Sequence, residues 1–320
     1  MMTKGRVYVF FIGLLLFCCG FLNAQQDPQF SLYQFNQLTV NPAYAGARDA
    51  ITVIADMRKQ WVNFPGAPAT FAFTAHGPVL NNKLGIGLNA LSDQIGAKST
   101  TGIYGNFAYI MKLSNRLKLS FGLRAGYINY RFDFNKVNYK DVNEASAAGL
   151  STINRSALDL DAGLYLRGNS FFIGLSSTHL NGARLYTKDY TITAASGQTQ
   201  ALNASYVLVP HSFLTAGKAF RLSESLVFSP SLMLRMVKGV GSMDLNLNFL
   251  LFQRLWLGTF VRSGYGAGAL IQVYATENLR IGYSYDSGMG KGRGLGISHE
   301  IMIGFDFRNV KNKTLSPRFL

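Results

Sequence analysis

The chain has 320 residues, of which 48% are hydrophobic, 13% aromatic and only 15% charged, with 33 glycines and a formal net charge of +15. A soluble globular domain carries about 25% charged residues, so this composition is too poor in charge for one. The lysines and arginines are spread along the chain, not gathered in a basic patch interleaved with aromatics, which argues against nucleic acid as a partner and leaves anionic head groups or an acidic protein as the counter-charge.

Residues 1–24 read as a signal peptide: Lys4 and Arg6 form a positive start, Val7 to Phe17 an apolar core, and Leu22-Asn23-Ala24 before Gln25 a cleavage site. Cleavage there removes Cys18 and Cys19, so the mature chain has neither disulfide nor thiol chemistry. Lipid attachment is disfavoured because Phe17 and Cys18, not small residues, precede the cysteines. No later stretch reaches the roughly 18 uninterrupted apolar residues of a membrane helix. For an exported, charge-poor chain without such helices, a closed barrel is the remaining way to satisfy every backbone group in lipid.

Residues 25–48 have a different pattern. Asp27 is placed to cap a short helix with Pro28 at its first position, Phe30 with Tyr33 and Leu32 with Phe35 stand three apart as helix neighbours do, and Asn41-Pro42 ends the element. This is no barrel strand, so it is expected against the periplasmic mouth or in the lumen, or else as an arm packed on the first strand.

From residue 49 to 307 the chain reads as an antiparallel transmembrane β-barrel, with 308–320 as a periplasmic tail. The clearest segment sets Leu117, Leu119, Phe121, Leu123, Ala125 and Tyr127 on one face and Lys118, Ser120, Gly122, Arg124 and Gly126 on the other. The expected strands are Asp49 to Arg58, Ala69 to His76, Lys83 to Ser92, Thr100 to Leu113, Leu117 to Tyr130, Leu158 to Arg167, Phe171 to Leu180, Ser205 to Lys218, Leu226 to Met236, Gly241 to Leu250, Leu255 to Ser263, Ala267 to Tyr274, Leu279 to Asp286 and Gly296 to Phe307. They make about 14, the even number that bacterial barrels have. A short polar turn followed by apolar, any, apolar recurs at Asn82, Asn115, Asn169, Glu224, Gln253 and Glu277, while Arg131 to Ala157 and Asn181 to Ala204 are long connections at the opposite end. That asymmetry places the short turns, and both ends of the mature chain, in the periplasm. Pro210 and Pro230 each remove a ladder donor, which predicts a bulge or distortion at each. Glu300 and Asp306 of the last strand should face the lumen, since a carboxylate toward lipid costs about 2 kcal/mol or more near the midplane.

Little here carries catalysis. His76, His179, His211 and His299 are isolated in sequence and read as rim or interfacial residues, with Ser298 and His299 on opposite strand faces and no acid evident to orient an imidazole. The Gly-rich run Ser287 to Gly294 lacks phosphate-loop spacing and reads as a loop in which Lys291 and Arg293 touch lipopolysaccharide phosphates. Trp61, Trp256, Tyr274, Tyr283 and Tyr285 read as interfacial anchors, and Asp141, Glu144, Asp159 and Asp161 as solvated charge without calcium-loop spacing. No catalytic residue, cofactor or metal ligand is assigned.

Specific residues go further than periodicity. Asp27-Pro28-Gln29-Phe30-Ser31, Tyr33, Phe35-Asn36 and Asn41-Pro42-Ala43-Tyr44-Ala45-Gly46 resemble the N-terminal signature of the PorP/SprF family of the type IX secretion system. Arg58-Lys59-Gln60-Trp61, Gly282-Tyr283-Ser284-Tyr285-Asp286 and Ser298-His299-Glu300-Ile301-Met302 agree, while Leu32 and Leu38-Thr39 depart from it. The resemblance implies a non-enzymatic outer-membrane barrel supporting export, with gliding-type adhesins among possible cargo. It implies as partners the translocon, periplasmic ring components, cargo bearing a C-terminal secretion domain, and outer-membrane lipid and lipopolysaccharide. It makes Phe30, Tyr33, Phe35, Asn36, Asn41, Pro42, Tyr44 and Gly46 either fold determinants or a partner surface. The competing expectations are a diffusion channel or hydrophobic-compound transporter with the N-terminal segment as a hatch, and a surface protein acting through its long loops.

Overall fold

The computed structural model describes residues 27–48, 50–137, 152–193, 199–289, 293, 294 and 296–307, with backbone alone for 187–205. The signal peptide, the Asp49 strand start, Asp141, Glu144, Lys291 and the 308–320 tail lie outside the described residues.

Seventeen strands are described: β1 (Ile51–Val62), β2 (Ala69–Val79), β3 (Leu84–Ile95), β4 (Lys98–Lys112), β5 (Lys118–Phe132), β6 (Ile153–Arg167), β7 (Phe171–Thr178), β8 (Arg184–Thr193), β9 (Thr199–Val207), β10 (His211–Lys218), β11 (Phe220–Arg221), β12 (Leu226–Val237), β13 (Val240–Leu251), β14 (Leu255–Arg262), β15 (Gly266–Tyr274), β16 (Leu279–Gly288) and β17 (Ile297–Phe307). Fourteen of them form a closed antiparallel ring. Consecutive strands pair, β7 pairs with β10 across the β8–β9 hairpin, and β1 meets β17 with Ile51 opposite Phe307. Closure leaves no unpaired edge, as the hydrocarbon layer demands.

Alternation sets the two faces. On β5, Ser120, Gly122 and Arg124 are buried inward while Phe121, Leu123 and Tyr127 are exposed outward. On β17, Ser298, Glu300, Met302 and Asp306 turn inward and Ile301 and Ile303 outward, which places the acids as expected. Short connections at 80–83, 113–117, 168–170, 252–254 and 275–278 share one end of the ring. The other end carries the long connections 133–152 and 179–210, beside two-residue turns at 96–97 and 238–239.

Three expectations are corrected. The 205–218 segment is not one strand: β9 ends at Val207 and β10 begins at His211, with Pro210 between them, because a residue without an N–H cannot hold the ladder there. The 181–204 connection is no simple loop, since it contains most of the β8–β9 hairpin. Pro230 leaves β12 undistorted and stands opposite Leu247 in unbroken register. The break falls on its other neighbour: Gly217 faces Ser231 and Phe220 faces Phe228, and the ladder lapses between them, where Pro230, with no N–H to donate, stands opposite Lys218.

The core lies inside the ring. Leu32 and Phe35 pack with Ile54, Trp256, Phe260, Leu270, Tyr274 and Met302. Phe30 and Tyr33 pack with Ala72, Phe213 and Met233, and Leu38, Ala43 and Tyr44 with Ala108, Tyr165 and Phe172. Each cluster joins residues of the 27–48 segment to the wall, and each large side chain buried this way contributes about 2 kcal/mol. A fourth cluster, Ile128 and Tyr130 with Leu185 and Leu208, seats the base of the hairpin on the long-loop end, where Tyr206 stacks on Tyr130.

Candidate functional site

The segment before β1 fills the lumen as a plug. It is not the capped helix the spacing suggests, but three short 3₁₀ turns, Tyr33–Phe35, Gln37–Thr39 and Pro42–Tyr44. Asn36, with φ −136°, interrupts the first pair, and Asn41-Pro42 starts the third turn instead of ending the element: Asn41 is extended and its side chain accepts the Ala43 N–H. The three-residue spacing still holds, because Phe30 with Tyr33 and Leu32 with Phe35 each share a packing cluster.

Turns this short leave backbone groups unsatisfied, and the wall supplies their partners. Glu300 accepts the Ser31 and Leu32 N–H groups at 2.7 and 2.8 Å. Arg262 donates to Phe30 O, Asn89 to Leu38 O, Arg124 to Leu38 O and Thr39 O, and Ser176 to Val40 O. In the opposite sense Asn41 Nδ2 donates to the carbonyls of Leu164 and Leu175, at the β6–β7 seam. Side-chain pairs complete the set, with Asn246 donating to Tyr33 Oη, Asn248 to Gln34 Oε1 and Thr74 to Asn36 Oδ1.

Two wall glycines permit the contact. A Cβ at Gly85 would stand 2.0 Å from Ala45 O, and one at Gly122 would stand 2.1 Å from Ala43 N. Any side chain at either position would displace the plug backbone.

Buried charges bracket the plug. Arg58 joins Asp286 at 2.7 Å and Glu300 at 3.0 Å and donates to Ser31 Oγ. Arg48, at the plug's exit, shares Asp306 with Arg280. Arg262 binds Asp244 through Nε and Nη2. Removed from water, each pair is stable only while both partners remain.

The plug begins at the long-loop end. Asp27 lies between His179 Nε2 at 2.9 Å and His211 Nδ1 at 3.1 Å. His179 Nδ1 meets Asp159 at 2.8 Å, and the His179 N–H donates to Asp161, which Arg124 also binds. Burial pushes the His179 imidazole down, but Asp27 and Asp159 outweigh this and hold it at about 11. Burial pushes the Asp27 carboxyl up, but the two imidazoles outweigh this and hold it well below its usual range. Asp159, Asp161 and His179 are close enough together for a metal ion, with donor atoms within 4.8 Å of one another. Hydrogen bonds already occupy both ring nitrogens of His179 and both oxygens of Asp161, so the geometry is that of a proton-sharing clasp.

All eight residues of the signature set, Phe30, Tyr33, Phe35, Asn36, Asn41, Pro42, Tyr44 and Gly46, are buried in this plug. Other expectations are corrected. His179 and His211 are not rim histidines but face each other across 5.8 Å in the clasp, because Thr178 pairs with His211 between β7 and β10, and His76 accepts the Gly46 N–H inside the lumen. Asp159 and Asp161 are buried, not solvated, since both fall on the inward phase of β6. Trp256 and Tyr274 are lumen core, whereas Tyr283 and Tyr285 stand outward beside His299. Trp61 is part-buried and donates to Tyr265 Oη. The expectation that the mature N-terminus shares a side with the C-terminus concerns residues 25 and 26, outside the described residues; Asp27 itself is at the end opposite Arg48 and the start of β1.

The family model for type IX secretion system membrane proteins, PorP/SprF, matches residues 22–305. This chain belongs to the PorP/SprF family. No curated protein matches it. Among solved structures it is similar to the Ralstonia pickettii toluene transporter TbuX, with 10% identity, a TM-score of 0.51 and coverage of 85% of this chain and 92% of that one. It is also similar to the CymD monoaromatic hydrocarbon channel, with 10% identity, a TM-score of 0.49 and coverage of 88% and 94%. At such identity the likeness to TbuX shows the fold alone, an outer-membrane β-barrel. PorP/SprF membership makes the chain a type IX secretion component and, like the barrel fold, is non-enzymatic in kind.

Proposed function

We propose that this PorP/SprF barrel is an outer-membrane accessory that helps deliver particular cargo proteins bearing a C-terminal secretion domain, working beside the translocon and periplasmic ring components. The observation that carries the reading is the plug: a lumen crossed end to end by residues 27–48 and bonded to the wall along its length leaves no wide conduit for a polypeptide. Export then runs beside this barrel, which offers surfaces. The short-turn end faces the periplasm and the ring components, and the long connections face outward. The signature residues from Phe30 to Gly46 hold the plug in place and meet a partner only if it leaves the lumen. Deleting the gene and measuring which tagged cargo proteins still reach the cell surface tests this. Loss of a defined subset is expected, and unchanged delivery of all of them refutes it.

A second reading, a diffusion channel with the plug as hatch, is favoured by the fourteen-stranded wall around a noncovalently held N-terminal segment. Steady single-channel current from the purified wild-type protein would select it.

A further inference from the structure

In the long-loop half of the lumen, the plug and wall enclose a cavity of about 90 Å³. Phe30, Tyr33 and Val40 line it from the plug, and Leu91, Phe213 and Met233 from the wall. That volume exceeds the space of a single water, and most of its surface is apolar, although polar groups including Asp27, Asn89, Asp93, Arg124 and His179 also reach it.

One charged group on this lining is out of place. Arg235, from β12, is 6% exposed, and among the described residues no carboxylate lies within ion-pair distance of it. Neither its Nε nor its Nη1 has a hydrogen-bond partner. Its Cζ lies 5.3 Å from the Phe213 ring centroid, a contact that leaves the in-plane N–H groups unused. The nearby acids are taken. Asp244 is bound twice by Arg262, Asp93 accepts the Thr70 hydroxyl at 2.6 Å, and Asp27 lies in the histidine clasp. A guanidinium withdrawn from water without an anion is costly, and it presents a fork that matches a carboxylate.

We propose that this cavity binds a small amphipathic carboxylate, its head on Arg235 and its apolar body among Phe30, Leu91, Phe213 and Met233. A neutral hydrocarbon would leave the guanidinium uncompensated, and a polyanion would bring more charge than Arg235 can meet. Because six lining residues, Phe30, Tyr33 and Val40 among them, belong to the plug, the site is complete only with the plug seated, so the ligand stabilises the closed lumen. The inference does not depend on the export reading.

The test uses the purified full-length mature barrel in nanodiscs, with hexanoate as probe, hexan-1-ol as its uncharged match and acetate as the head without a body, read by calorimetry and saturation-transfer NMR. Hexanoate should bind saturably and about tenfold or more tighter than either control. Arg235→Gln should remove that advantage without changing hexanol binding, and Met233→Trp, which fills the cavity, should abolish both. Absence of saturable hexanoate binding to the wild type, equal binding of hexanol, or full hexanoate affinity in Arg235→Gln would overturn the proposal. The wild-type comparison decides even if a variant fails to fold.

Discussion

Gly122 on β5 and Ala43 in the third plug turn are so close that a Cβ on the glycine would stand 2.1 Å from the alanine nitrogen. The wall therefore has a hollow into which plug backbone, not side chain, is seated. Gly122→Val should leave the ring intact, since valine suits a strand, yet unseat the plug around Pro42–Tyr44. Cysteine introduced as Ala43→Cys should be protected from a water-soluble maleimide in the wild-type background and labelled at least about tenfold faster beside Gly122→Val, a loss of about 1.4 kcal/mol of plug seating. Equal labelling would show that the close contact is not what holds the turn.

Glu300 anchors the plug's first turn and pairs with Arg58. Glu300→Gln removes the charge and weakens both acceptors, leaving Arg58 with Asp286 alone. The expected destabilisation is about 3 kcal/mol, the usual scale for breaking a buried pair. Urea unfolding from detergent micelles measures it, and an unchanged midpoint would remove Glu300 from its structural role.

Arg262 and Arg235 both project into the lumen, but only Arg262 has a carboxylate. Arg262→Met should cost about 3 kcal/mol by stranding Asp244, whereas Arg235→Met should be neutral or stabilising in ligand-free protein. Urea midpoints for the two variants, measured side by side, check the contrast.

The clasp makes plug seating depend on pH. His179 is held at about 11 against an ordinary value of 6.5, so its contribution is complete below about 6.5, shrinks as pH rises and is lost through about 11. Asp27 is held below its ordinary 3.8, so its contribution is complete above that value and is lost as pH falls further. Seating should therefore be firmest between about pH 4 and 6.5 and weaken toward alkaline pH. Maleimide accessibility of a cysteine introduced as Pro28→Cys, measured on the protein and normalised to a free thiol, should rise across that range. His179→Gln should flatten the profile, and a flat wild-type profile would contradict the assignment.

The ring was legible because lipid outside and a polar lumen inside impose a period of two that few other environments produce. The expected Leu158 to Arg167 strand even carries, in the phase of Asp159, Asp161 and Tyr165, the inward orientation that rules out solvated charge for the two aspartates. Trp256 falls likewise in phase with the inward Phe260, between outward Leu255 and Leu257. The plug was legible as something other than a strand, but not in its geometry. Its backbone partners lie far along the chain, with Glu300 269 residues from Ser31, and local propensity carries no information about them. His179 and His211 are 32 positions apart, and only the β7–β10 pairing across an intervening hairpin brings their rings together.

The central claim is that residues 27–48 seal a closed fourteen-stranded barrel. Planar-bilayer recording of the purified mature protein, alongside a variant lacking residues 27–46, tests it most directly. The wild type should be silent and the deletion should conduct steadily. A wild type that conducts as steadily as the deletion would contradict the account.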